Sequence, residues 1–208
     1  MRKILVCVAF VLGCRSSSPG YGSANAGYSS QGPAVPVMPR SVRVSLHGVT
    51  IAMGKFDGTM WDGPGHVPAG QLQRLGLALG ATNPYAVVIS ILGEPVNQAL
   101  EKPEVFGQAM LVTGAGYGPP TQLSARRDTF TPDFGGPPSW SGVPLNGTVR
   151  LSVTLTDDDL FFPDPMGSFQ LNERDLVQAL REGRVAQIRV AEQTSNQILF
   201  AAISVMGE

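Results

Sequence analysis

Cysteine is almost missing from this chain of 208 residues, where only Cys7 and Cys14 occur. Beyond Cys14 there is therefore no disulfide, no thiol nucleophile and no cysteine-held metal, whatever the redox state of the compartment. Histidine is nearly as scarce: His47 falls in a strand-like stretch and His66 in a Gly/Pro turn. Neither a Gly-x-Ser-x-Gly elbow nor a His-Glu-x-x-His helix is present. A lone histidine is more often structural than catalytic, so the residues point away from an enzyme. Lysine is limited to Lys3, Lys55 and Lys102. No basic run of the kind that holds nucleic acid or phosphoinositide exists.

What is there begins with Arg2 and Lys3, followed by an apolar run from Ile4 to Leu12 and then Gly13-Cys14. The run is too short to span a bilayer as a helix and has the order of an export signal. The junction Val11-Leu12-Gly13-Cys14 resembles a bacterial lipoprotein signal. That resemblance implies cleavage before Cys14, acylation of Cys14, and a lipid-anchored protein of the bacterial cell envelope. Two or more acyl chains give stable anchoring. Arg15 in place of an aspartate implies the outer rather than the inner membrane. With Arg2 and Lys3 removed, thirteen basic residues face sixteen acidic ones, a net charge of −3. From Cys14 to position 40 the chain is rich in Ser, Gly, Pro and Ala without an apolar period, which predicts a disordered linker. Residues 1–13 are thus read as signal peptide, 14–40 as lipidated cysteine and linker, and 41–208 as one folded domain. About 165 residues are enough to bury a core without disulfides.

The most informative stretch runs from Val149 to Gly167. Val149, Leu151, Val153 and Leu155 alternate as in a half-buried strand, which stops at Asp157, Asp158 and Asp159; Asp164 and Gly167 follow. Crowded carboxylates repel one another unless a cation is present. Calcium takes six to eight oxygens in a flexible shell. Side chains two apart in a turn can face the same way, so Asp157 and Asp159 can grip one ion with Asp164 returning to it. A solvated, strand-ending acidic turn is the alternative.

The pattern Asp157-x-Asp159-Leu160-x-x-x-Asp164-x-Met166-Gly167 at a strand end resembles the third calcium loop of a C2 domain. Asn83-Pro84-Tyr85-Ala86-Val87-Val88 resembles that family's Asp-Pro-Tyr-Val strand, and Pro138-Ser139-Trp140-Ser141 its Asn-Pro-x-Trp-Asn turn. The resemblance covers roughly Ser41 to Glu208. It implies an all-β fold, an antiparallel eight-stranded β-sandwich with its calcium loops at one tip. It also implies calcium as ligand, with Asp62 (Asp57 next) and Asn83 completing the shell. Asn83 standing in for an acid removes one negative charge and predicts weak binding. Asp62 reads equally well as a turn residue beside Trp61. Phe161 and Phe162 lie between the acids, where membrane-binding C2 domains carry an apolar tip; packing against Trp61 or Trp140 is the equal alternative. The partners implied are the membrane through Cys14, then phospholipid or an envelope protein, and no nucleic acid.

Elsewhere the patterns predict a strand over 41–51 with a bulge or break at Gly48, and a short helix over 69–79. Strands are expected at 85–92, 109–113, 185–191 and 197–206. Asn146-Gly147 reads as a hairpin turn entering the strand that precedes the acids. One short helix after the third loop is expected to start at Asn172 and stop at Gly183. A structural or assembly lipoprotein whose acidic loop binds no metal is the competing reading.

Overall fold

The computed structural model describes residues 38–126, 129–158 and 163–208. Cys14, Asp159, Phe161, Phe162, the signal segment and the linker as far as position 37 lie outside them. The described residues from Met38 to Glu208 fold as a β-sandwich of antiparallel sheets with a few short helices.

The first sheet has the order β5-β1-β9-β8, with β1 Ser41–Ile51, β5 Ser139–Pro144, β8 Ala186–Arg189 and β9 Ile198–Gly207. In β1, Val42, Val44 and Leu46 point inward and are completely buried, as alternation requires. The break expected at Gly48 is a β-bulge. Leu46 faces Ile203 and Gly48 faces Ala202, which leaves His47 as the extra residue.

The second sheet is built on β2 Val105–Thr113, β6 Arg150–Asp157 and β7 Asp164–Asn172. Two short strands, β3 Gly116–Tyr117 and β4 Thr121–Arg126, share the outer edge of β2. Leu151, Val153 and Leu155 of β6, with Phe169 and Leu171 of β7, form the inner face of this sheet. Facing β1 and β9, they complete one continuous core. Nine strands are present among the described residues, one more than the eight expected, because β3 is a two-residue strand that no alternation pattern announces.

Three helices stand between β1 and β2: α1 Ala69–Leu79, α2 Pro84–Leu92 and α3 Pro95–Gln98. The first agrees with the sequence. The second corrects it. Asn83–Val88, expected as a strand by resemblance, begins a helix. Asn83 accepts a hydrogen bond from the Ala86 N–H at 3.4 Å, and Pro84 occupies the first turn. An Asn cap followed by proline starts a helix because it satisfies one orphan N–H and presets φ. The Val-Val-Ile run has strand-like composition, yet Val88, Ile91 and Leu92 form one buried helical face.

Two turn assignments are also corrected. Pro138–Ser141, expected as a turn, leads into β5, where Trp140 pairs with Val44 of β1. Asn146-Gly147 is no hairpin, since β5 and β6 belong to different sheets. It is a crossing between sheets, with Asn146 Oδ1 accepting from the Thr148 hydroxyl at 2.7 Å. The helix after the third loop, α4 Glu173–Glu182, stands as expected. Asn172 and Asp175 close a reciprocal capping box, and Gly183 ends the helix at φ 63°.

Candidate functional site

The acidic end of the sandwich is built by the last rung of β6 and β7, where Asp157 and Asp164 stand opposite each other. The strand reaches this point straight, but β7 carries a bulge. Leu155 faces Gly167 while Thr156 faces Pro165, so Met166 is extra and fully buried. Gly167 takes φ 118°, a region open mainly to glycine, which accounts for the Met-Gly pair closing the loop.

Asp157 is completely buried. Its Oδ1 accepts the Glu104 N–H at 2.7 Å, and the Asp158 N–H returns to the Glu104 carbonyl at 2.8 Å. These two bonds carry the β2–β6 ladder one step past its end and fix the carboxylate in place. Asp158, the residue after β6, is exposed.

Asp164 is met by Lys55, whose ammonium hydrogen-bonds Asp164 Oδ2 as an ion pair. Lys55 lies four residues beyond the end of β1, in a loop held to this site. Its N–H bonds the Thr59 carbonyl at 2.9 Å. The Phe56 N–H bonds Gln197 Oε1 at 3.0 Å, and the buried Gln197 donates to the Met166 carbonyl at 2.9 Å. One glutamine side chain thus staples the lysine loop to the bulge of β7. The Lys55 ammonium also stands 6.0 Å from the Trp61 ring centroid, while Trp61 is buried and donates its indole N–H to Ala52 O at 2.9 Å. Nearby, Asp57 accepts from the Thr59 hydroxyl and N–H at 2.7 and 3.0 Å, which holds its carboxyl below the usual range.

The other expected ligands go elsewhere. Asp62 is half-buried in the turn after Trp61, beside Gly63, whose surroundings include the Glu101 carboxylate. Asn83 caps α2 and lines a cleft against α4 and β8. Among the described residues no group of three or more His, Cys, Asp or Glu side chains could hold a metal. The structure therefore brings together Asp157 and Asp164 and adds Lys55, which sequence spacing could not find because 109 residues separate it from Asp164. The Lys55 ammonium is paired with Asp164, while Asp157 is held by the Glu104 N–H.

No protein-family model and no curated protein matches the chain. Solved structures do. The first C2 domain of plant Extended Synaptotagmin 1 is 11% identical, with TM-score 0.43 over 82% of this chain and 95% of that one. A C2 domain protein from Ramazzottius varieornatus is 11% identical, with TM-score 0.43 over 84% of this chain and 93% of that one. The pair of C2 domains of Extended-Synaptotagmin 2 is 13% identical, with TM-score 0.41 over 92% of this chain. The chain spans 48% of the length of that pair. The sandwich fold stands on the two antiparallel sheets described above. No described helix is long and apolar enough to cross a membrane.

Proposed function

We propose that this chain is a lipid-anchored protein of the bacterial cell envelope whose sandwich is a C2-like binding module without catalytic activity. Its acidic end takes calcium weakly and contacts phospholipid or an envelope protein. The anchor is the acylated Cys14, supported by the Arg2-Lys3 start, the short apolar run and Gly13. The observation that carries the binding site is the facing of Asp157 and Asp164 at the mouth of the 158–163 loop. Asp157, Asp159 and Asp164 are the ligands; Asp62 and Asn83, placed in a turn and a helix cap, are not counted among them. Calcium would supply charge neutralisation of these acids, allowing Phe161 and Phe162 to approach an apolar surface.

The ion pair of Lys55 with Asp164 favours a second reading. With the charge of Asp164 already matched, the module can act as a structural envelope lipoprotein that needs no metal. Calorimetry of the chain with calcium raised to about 100 mM, and magnesium as control, separates the two. The binding reading expects a dissociation constant on the order of 10⁻⁴–10⁻³ M. Saturation at about a hundred times that constant stabilises by roughly 2.7 kcal/mol, a rise in melting temperature of about 5–10 °C. Asp159→Asn abolishes the rise and Asp158→Asn leaves it. Absence of any calcium response establishes the metal-free reading. For the anchor, Cys14→Ser should lose a radioactive fatty-acid label; label retained on that variant places the acyl chains elsewhere.

A further inference from the structure

The four-stranded sheet ends at β8, which pairs with β9 along one edge only. Just past β8, Val190 donates its N–H to the Leu199 carbonyl at 3.0 Å. Main-chain groups alternate between the two edges of an antiparallel strand. Ile188 therefore points toward β9 as Val190 does, while Gln187 and Arg189 turn their N–H and C=O groups outward. Among the described residues nothing pairs with those outward groups. Such an edge is a template for another strand unless it is blunted, and Ala186-Gln-Ile-Arg189 contains neither proline nor lysine.

This edge is recessed. It forms one wall of a cleft of about 610 Å³, whose other walls are the first turn of α2 and one face of α4. That volume lies in the range of ligand sites, and the four residues of β8 present about 13 Å of open edge. Two aromatics lining it, Tyr85 and Phe200, meet edge to face at 5.5 Å and make a rigid wall. Of the charged lining residues, Asp175 is spent in the capping box of α4, and Glu182 accepts from Gln178 at 3.3 Å. Arg189 donates to the Leu79 carbonyl at 2.6 Å and pairs with Glu192. Arg184 alone has no side-chain partner among the described residues.

We propose that this cleft binds an extended peptide segment of a partner protein. The segment adds to the sheet as a strand beside β8 and sets an acidic side chain on Arg184. Main-chain bonds to Gln187 and Arg189 supply the affinity and the Arg184 contact supplies the selection, as in other cases of strand addition. A second copy of the chain cannot offer its own β8, because α2 and α4 recess that edge equally. The site is independent of the acidic end and of whether calcium binds there.

The test uses the full chain and an acetylated, amidated pentapeptide, Thr-Val-Glu-Val-Thr. Amide hydrogen exchange, read residue by residue by NMR, should slow about tenfold or more at Gln187 and Arg189 when the peptide saturates. Replacing the central Glu by Lys should weaken binding about tenfold, and Arg184→Glu should reverse that preference. Gln187→Pro removes one outward N–H at an edge position that tolerates proline, and should abolish binding. If that variant fails to fold, the exposed Arg184→Glu carries the test. Unchanged exchange at millimolar peptide overturns the proposal. So does equal binding of the same pentapeptide with every backbone amide N-methylated, which cannot donate to the ladder.

Discussion

Lys55 reaches from the loop after β1 to Asp164 at the start of β7, joining the two sheets at the acidic end of the sandwich. Its side chain is 21% exposed and that of Asp164 40%. Partial exposure limits such a pair to about 1 kcal/mol or less. Its interest lies in competition, since any metal reaching Asp164 must displace a tethered ammonium.

Lys55→Met should therefore leave the melting temperature within about 2–4 °C of the parent in the absence of calcium. It should strengthen calcium binding by up to about fivefold, the factor given by about 1 kcal/mol of removed competition. Isothermal titration of the two proteins side by side reads this directly. Equal affinities, with calcium still bound, would show that Asp164 is no ligand.

Two glycines should respond in opposite directions. A Cβ on Gly107 of β2 would lie 2.1 Å from the main-chain oxygen of Thr154 and 2.8 Å from Leu155 Cδ2. The sheet must open to accept it, so Gly107→Ala should destabilise by roughly 1–3 kcal/mol. Gly76 sits within α1, and a methyl group added there would meet nothing within 4 Å. Gly76→Ala should stabilise by about 0.5–1 kcal/mol, because alanine loses less backbone freedom in a helix. Urea unfolding of both variants checks the pair, and like signs would contradict the packing.

Removing the cap of α4 is a local test. Asn172 Oδ1 accepts from the Arg174 and Asp175 N–H groups at 2.9 and 3.4 Å, and the Asp175 carboxylate accepts the Asn172 N–H at 2.9 Å. Asn172→Ala should cost about 1 kcal/mol and lower the melting temperature by roughly 2–4 °C. Asn172→Asp should recover most of it, since aspartate caps as well as asparagine. A loss that aspartate does not recover would place the role of Asn172 outside capping.

Acid should loosen the edge of the first sheet. The Gly142 N–H beside Glu208, followed by Ser141 and Arg43, holds the Glu208 carboxyl below its ordinary value, and Arg74 does the same for Glu94. A depressed folded value means that the stabilisation is present above the unfolded value and is lost as pH falls through the folded one. The urea midpoint should thus fall as pH drops through and below the ordinary carboxylate range. Glu208→Gln should flatten part of that fall. An unaltered pH dependence in the variant would remove Glu208 from the account.

Much of the architecture is local and could be read along the chain. Alternating Val42, Val44 and Leu46, the Leu151–Leu155 series, and the Asn172 to Gly183 helix each carry their own signal, because period and capping act within a few residues. Where composition and cap disagreed, at Asn83 to Leu92, the cap and the buried face decided for a helix, since β preference mostly reflects the surface a strand packs against. Residues far apart in the chain met only through the fold. The closing of Asp157 on Asp164 depends on the β6–β7 register, Lys55 arrives through the Gln197 staple, and the recessed β8 edge exists only because α2 and α4 flank it. These relationships are set by which sheet each strand joins and at which register, and side chains share a site there without sharing a sequence pattern.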